Sequence, residues 1–324
     1  MRRRAVIAGA AASLPRAAAA QTAPRVRSIG VMVSGTEEQS APFIAAFREA
    51  LAAQGYVEGR NVRLELRGRE PDPDRLRSDA AEFAARGVEV IVTGGTTAVQ
   101  AILAATTAIP VVLTGSADPV AMGFAQSLAR PGGRVTGLSI LGEELLAKRI
   151  EILAEIVPSA PVLAAMLQAA NPGNPVFRRA IEASAATLGR SMNVFEIRDP
   201  SEFDAAFDRM TALGVGGLFV IEDPLFLRSA AVIAEHANRR RIAMVSGAHG
   251  LVVAGGLAAY AIDYVDFWRR AAGYVARILN GAAPGDLPIE QPTQLRFVIS
   301  LKTARLIGLT VPPALLARAD EVIE

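Results

Sequence analysis

The sequence predicts an α/β protein made of two doubly wound, parallel-sheet lobes. Two observations carry this reading. Short, near-continuous apolar runs alternate with segments of helical spacing along almost the whole chain, and the alternation makes up two successive series of about five strands each. At 324 residues the chain is long for one domain and comfortable for two. Its hydrophobic content of 51% with only 5% aromatics points to cores of Val, Ile, Leu and Ala.

The first series of strands is expected at Ile29–Val33, Val62–Leu66, Val88–Val92, Val111–Leu113 and Val135–Ile140. The second is expected at Val162–Leu167, Met192–Ile197, Gly217–Ile221, Ile242–Val245 and Leu257–Ala261. Strands apolar on both faces belong in parallel sheets that helices cover on either side. Helices are expected at Ala41–Gln54, Pro73–Arg86, Thr97–Ala105, Glu143–Ile156, Pro175–Leu188, Ser201–Leu213, Pro224–Arg239 and Asp266–Asn280. Asp72-Pro73, Asp118-Pro119, Asn174-Pro175 and Asp223-Pro224 read as helix starts, an acceptor side chain followed by a proline whose missing N–H costs nothing there. One more strand, Leu295–Ser300, and a short amphipathic helix close the chain.

The N-terminus has the order of a secretory signal: Met1-Arg2-Arg3-Arg4, an apolar stretch from Ala5 to Leu14, and small residues Ala18-Ala19-Ala20 before Gln21. That stretch is far shorter than the roughly 20 residues of a spanning helix, so residues 1–20 read as a cleaved signal and not as a membrane anchor. Their removal takes away Arg2, Arg3, Arg4 and Arg16 and brings the net charge from +2 to −2. The remaining chain carries no basic patch interleaved with aromatics, which argues against nucleic acid as a partner. An exported chain without cysteine has no disulfide to rely on and is stabilised by its two cores. The expected location is the periplasm, as a monomer without stable membrane insertion.

Groups suited to bond-making are few. The only histidines are His236, within an expected helix, and His249, in the loop Ser246-Gly247-Ala248-His249-Gly250. Metal-ligand spacings, a nucleophile elbow and the dinucleotide and Walker phosphate fingerprints are all missing, so no cofactor is expected. Strand ends instead offer binding groups. In the first series these are Ser34 and Gly35, Gly95-Thr96-Thr97, and Ser116 to Asp118. In the second they are Asn171, Asn174, the loop Glu222-Asp223-Pro224, His249, Tyr260 and Asp263. Small polar loops that enter helices present N–H groups and hydroxyls to an anion, and ligands of open α/β sheets sit at the carboxyl ends of strands. Neutral donors on one side and carboxylates and amides on the other suit a zwitterion, each charged hydrogen bond contributing about 1.5–3 kcal/mol. Asp118 and Asp223 are equally read as caps of the helices after them.

Several ordered segments resemble a bacterial family of ABC-transporter substrate-binding proteins often labelled as tryptophan/tyrosine transport components. They include Phe47-Arg48-Glu49-Ala50-Leu51 leading to Gly55-Tyr56-Val57-Glu58-Gly59-Arg60-Asn61-Val62, Asp72-Pro73-Asp74-Arg75-Leu76, and Val90 to Thr96. Further matches are Asp118-Pro119-Val120, Leu128 to Gly133 with Val135 to Ser139, Lys148 to Leu153, Leu301-Lys302-Thr303-Ala304, Gly308 to Pro313 and Arg318 to Glu324. The resemblance implies the type I periplasmic-binding-protein fold, two lobes joined by three crossovers that close on a ligand about a hinge. It implies lobes of residues 25–140 plus 257–284 and of 141–256 plus 285–324. It also implies that Gly95, Thr96, Thr97 and Ser116 hold a ligand carboxylate, that Asp223 or Asp263 takes its ammonium, and that an ABC permease is the partner.

Two segments depart from the family pattern. Gln168-Ala169-Ala170 precedes Asn171-Pro172 where many members carry a tryptophan, and Ala259-Tyr260-Ala261 replaces Ser-Tyr-Gly. On this reading Trp268 belongs to the core, and Tyr260 is the aromatic left to cover the ligand. Two other functions share the expected fold: a periplasmic sensory receptor, and an α/β enzyme using Asp118, Asp223 or His249.

Overall fold

The apolar runs fold into strands close to their expected positions. A computed structural model describes residues 26–33, 37–67, 72–140 and 142–324, so the signal segment 1–20 and the loop residues Ser34 and Gly35 lie outside the described residues. In chain order the elements are β1 (Arg27–Met32), α1 (Glu37–Ala53), β2 (Val62–Arg67), α2 (Pro73–Ala85), β3 (Val90–Thr93), α3 (Thr96–Ala105), β4 (Val111–Thr114), β5 (Val135–Leu138) and α4 (Glu143–Ile156). They continue with β6 (Val162–Gln168), α5 (Asn174–Thr187), β7 (Ser191–Ile197), α6 (Phe203–Ala212), β8 (Val215–Val220), α7 (Pro224–Arg228), α8 (Ala230–Arg239), β9 (Ala243–Ser246), α9 (His249–Val253), β10 (Ala258–Ile262) and α10 (Tyr264–Leu279). Last come β11 (Ile289–Glu290), β12 (Leu295–Ser300), α11 (Leu301–Ile307), α12 (Pro313–Leu316) and β13 (Glu321–Ile323).

The strands form two sheets, ordered β11-β5-β4-β3-β1-β2 and β13-β12-β10-β9-β8-β6-β7. The first is parallel throughout. The second is parallel from β7 to β10, after which β12 joins β10 antiparallel, with Ala258 opposite Ile299, so this sheet is mostly parallel with one antiparallel pairing near its edge. In each sheet the order reverses once, about β1 and about β6, which opens a crevice at the strand ends β1/β3 and β6/β8.

Alternation along the strands divides the first lobe's core into two layers. Ile29, Val31, Val90 and Val92 pack with Phe47, Trp268 and Val275 of α1 and α10, while Met32, Ile91 and Leu113 pack with Phe83 and Ile102 of α2 and α3. The second lobe has one large core around Met166, Phe207, Phe219, Ile233 and Val245.

The chain changes lobes after β5, after β10 and after β11. Within residues 257–284, expected to return to the first lobe, α10 lies along α1 and under β3, β4 and β5. By contrast, β10 pairs with β9 and β12 in the second sheet. The reverse holds for Ile289–Glu290, expected in the second lobe but paired with Gly137 and Leu138 of β5. The switch falls at Asp263, whose carboxylate accepts from the Asp266 N–H and caps α10, so the strand runs to its full length before crossing.

Helix starts follow the caps in part. Asp72 and Asp223 accept from the N–H two or three residues on and begin α2 and α7. Asp118 accepts from Val120 N and Ala121 N but nucleates only a turn, so no helix follows it. Asn174 is the first residue of α5 and not its cap. The expected helix 224–239 is divided at Ser229 into α7 and α8.

Candidate functional site: the cleft between the sheets

The ends of β1, β3 and β4 face the ends of β6 and β8 across a cavity of about 160 Å³. On the first-lobe side, Gly95 adopts a φ of +86°, a left-handed conformation that glycine reaches without strain, and ends the loop before α3. The N–H groups of the first turn of α3 have no carbonyl behind them inside the helix, and Gly95, Thr96 and Thr97 at this end of the helix line the cavity.

The neighbouring loop is stitched to this one. Gly95 N donates to Gly115 O at 2.7 Å, and Ala117 N donates to Thr96 Oγ1 at 3.1 Å. Thr96 thus positions the second loop, whereas the half-buried Thr97 lines the cavity. Ser116 lines it too, its hydroxyl turned to Ala117 O at 2.9 Å. Thr114 Oγ1 is buried beside Gly94 with no hydrogen-bond partner among the described residues, and a Cβ on Gly94 would stand 2.8 Å from it.

The second lobe supplies carboxylates and amides. Asp223 is 5% exposed and receives Leu225 N on one oxygen and Asn171 Nδ2 on the other, each at 2.9 Å. Burial pushes its carboxyl above the usual range, opposed by these two hydrogen bonds. The residue before it, Glu222, is 2.6 Å from the guanidinium of Arg149, both side chains 3% exposed. Arg149 projects from α4 and also donates through Nε to the Tyr260 carbonyl at 3.0 Å.

Apolar walls close the cavity: Phe43 of α1, Phe177 of α5, Ile140 after β5, and Tyr264 and Trp268 of α10. Trp268 stacks on Phe43 with ring centres 6.4 Å apart and meets Phe47 edge-on. Burial, reinforced by the Glu222 carboxylate, raises the Tyr264 phenol, which therefore stays protonated.

This combination of donors, a buried carboxylate and aromatic walls fits a binding cleft between the two sheets, and sequence comparison agrees. The family model described as ABC transporter substrate binding protein matches residues 28–323. The chain belongs to the ABC transporter substrate-binding protein family. It is 25% identical over 263 residues, 81% of this chain and 75% of the relative, to a protein named tyrosine-binding protein from Clostridioides difficile (strain R20291). Among solved structures it resembles a conserved domain protein from Vibrio cholerae, with a TM-score of 0.86 and 24% identity, covering 92% of this chain and 100% of that one. It also resembles an ABC domain from Streptococcus pneumonia in complex with L-Trp, with a TM-score of 0.85, 23% identity and the same coverage. The family is one of binding proteins and not of enzymes.

In this substrate-binding protein the cavity brings together Gly95, Thr96, Thr97, Ser116, Asn171 and Asp223 from the residues expected at the site. Ser34 and Gly35 lie outside the described residues. The other expected residues stand elsewhere. Asp118 caps its own turn. Asn174 is buried behind the cavity, donating to Gln168 O. His249 is exposed and 3.4 Å from Glu321. Asp263 caps α10. Tyr260 offers no aromatic lid, because strand alternation turns its ring edge-on to Phe297 and leaves only its carbonyl near the cleft, held by Arg149.

Sequence reasoning placed Glu222 in a strand-end binding loop without giving it a role of its own, missed Arg149, Tyr264, Phe43 and Phe177, and assigned Trp268 to the core alone. Glu222 carried a usable signal: it directly follows a strand and precedes a capping aspartate. Arg149 carried none, because a charge in an amphipathic helix usually reaches solvent.

Proposed function

We propose that this protein is exported through residues 1–20, captures a free α-amino acid with an aromatic or large apolar side chain, and delivers it to an ABC importer. The observation that carries this reading is the opposition of the α3 N-terminus, with Thr97, to the buried Asp223 across one cavity. The first suits a carboxylate, and the second, lacking any cation at ion-pair distance among the described residues, suits an ammonium.

The ring-lined walls favour an aromatic or large aliphatic side chain, which would lie between Phe43 and Trp268 on one side and Phe177 on the other. The names of the relatives, tyrosine-binding and complexed with L-Trp, point the same way. Export accords with the signal-like N-terminus, and among the described residues no helix is long and apolar enough to cross a membrane.

Native mass spectrometry followed by thermal shift against the amino acids tests the reading. A ligand at 100 times its Kd should add about 2.7 kcal/mol to stability. Tyramine, without the carboxylate, and 3-(4-hydroxyphenyl)propionate, without the ammonium, should each fail to stabilise. Stabilisation by either as strong as by tyrosine, or turnover of the bound compound, would sink the proposal.

A further inference from the structure

Glu222 borders the cavity and is ion-paired with Arg149, both side chains 3% exposed, and the binding of an amino acid backbone leaves this pair without a task. We infer that Glu222, held by Arg149, accepts a hydrogen bond from a donor on the ligand's aromatic ring, a phenolic O–H or an indole N–H, and so sets the side-chain specificity of the cleft. The inference rests on the amino-acid reading above.

Three observations lead there. Glu222 lines the cavity and is 3% exposed, and its Oε1 faces Arg149 Nη2 at 2.6 Å without hydrogen-bond geometry, so the pair is held by charge and leaves acceptor capacity on the carboxylate. A buried carboxylate that faces a cavity with free acceptor capacity costs stability unless something fills it. Next, the two adjacent carboxylates differ in compensation. Glu222 is neutralised by Arg149 at 2.6 Å, whereas Asp223 has only neutral donors. A ligand ammonium gains most at Asp223, and the paired Glu222 is left as an acceptor for a neutral donor.

Finally, the surroundings of Glu222 are those of a ring's far edge. Ile140 and Phe177 border both the cavity and Glu222, and Tyr264 brings its protonated phenol into the field of the same pair. Gly247 is shaped to the pair. A Cβ there would stand 1.8 Å from Glu222 Oε1 and 2.2 Å from Arg149 Cζ, so the chain gives up a side chain to seat these two.

Calorimetric titration with two matched ligand pairs is the test: L-tyrosine against L-phenylalanine, and L-tryptophan against 1-methyl-L-tryptophan, which lacks the indole donor. In each pair that binds, the donor-bearing ligand should bind at least ~10-fold more tightly to the native protein. The double substitution Arg149→Met with Glu222→Leu removes the pair without leaving a lone charge. It should bring that preference below about 3-fold, the tyrosine and tryptophan affinities falling toward those of their donor-free partners. Should circular dichroism show the double variant unfolded, Glu222→Gln with Arg149 retained must still reduce the preference. The inference fails if the native protein discriminates neither pair, if the variant keeps the preference, or if it loses all four ligands equally. If the native protein binds none of the four, the amino-acid reading itself falls.

Discussion

Glu222 and Asp223 are consecutive residues that border one cavity in opposite electrostatic states: Glu222 has the Arg149 guanidinium at 2.6 Å, and Asp223 has only the Leu225 N–H and the Asn171 amide at 2.9 Å. The end of β8 thus carries, side by side, a carboxylate in a tight ion pair and one held by neutral donors, on which Arg228 acts without ion-pair contact. The second is costly in an empty cleft and gains when a cation arrives.

This cost gives Asp223 a pH signature. Burial raises its folded pKa above the unfolded value, so the native state holds the proton longer. The stability of the ligand-free protein owed to this group is present below the unfolded pKa and is lost as pH rises through the folded one. Ligand affinity should run the other way, falling with acid because a protonated carboxyl cannot neutralise an ammonium. Titrations between about pH 4.5 and 7.5 on the native protein and Asp223→Asn check this, the pH dependence being lost in the variant. An affinity flat with pH in the native protein would remove Asp223 from the ammonium site.

Thr96 and Thr97 are neighbours with separable roles. Thr97→Ala should weaken binding about 5- to 10-fold and leave the melting temperature nearly unchanged, since it removes a cavity hydroxyl only. Thr96→Ala also releases the Ala117 N–H that Thr96 Oγ1 accepts, a buried donor whose loss of partner costs about 1–3 kcal/mol. Denaturant melts and titrations of both variants decide the matter; equal effects on stability would contradict the assignment.

Gly247→Ala places a methyl where Glu222 and Arg149 sit. Displacing a buried ion pair should destabilise the protein by about 3–5 kcal/mol, read as a lower denaturant midpoint. A neutral substitution would mean the pair has room to retreat and does not depend on the bare backbone at this position.

Trp268 is the only tryptophan of the chain. It borders the cavity and packs on Phe43 and Phe47, so its emission should change in intensity or wavelength as ligand fills the cleft. Trp268→Ala should cost about 3–5 kcal/mol by opening a hole between α1 and α10 and should also weaken binding. Unchanged emission at saturation would place the ligand elsewhere.

Much of the fold was legible because each strand reports its own burial. Val90 to Val92 and Val111 to Leu113 are apolar on both faces and are fully covered by helices. The anion-receptive side of the cleft was legible for the same reason, since Gly95, Thr96 and Thr97 are contiguous and their geometry is local. The opposite side depended on contacts between residues far apart in the chain. Arg149 reads as one charge on an amphipathic helix until α4 is laid across the ends of β8 and β9. Trp268 and Phe43 read as core, which they are, and an apolar stripe does not say which of its members also faces a cavity. Tyr260 misled because alternation decides its direction, and Ala259 and Ala261 take the face against Val252 and Val298.

The threefold passage of the chain between its sheets has a consequence for biogenesis. The first sheet awaits Ile289–Glu290 and its covering helix awaits residues 264–279, while the second sheet takes in β12 and β13 only beyond residue 294. A chain emerging N-terminus first from the ribosome therefore exposes most of its strands before either lobe can close, with parallel pairings that bridge long loops and fold slowly. It is during this interval, before residues 264–323 emerge, that its bare strand edges are most open to aggregation or to a holding chaperone.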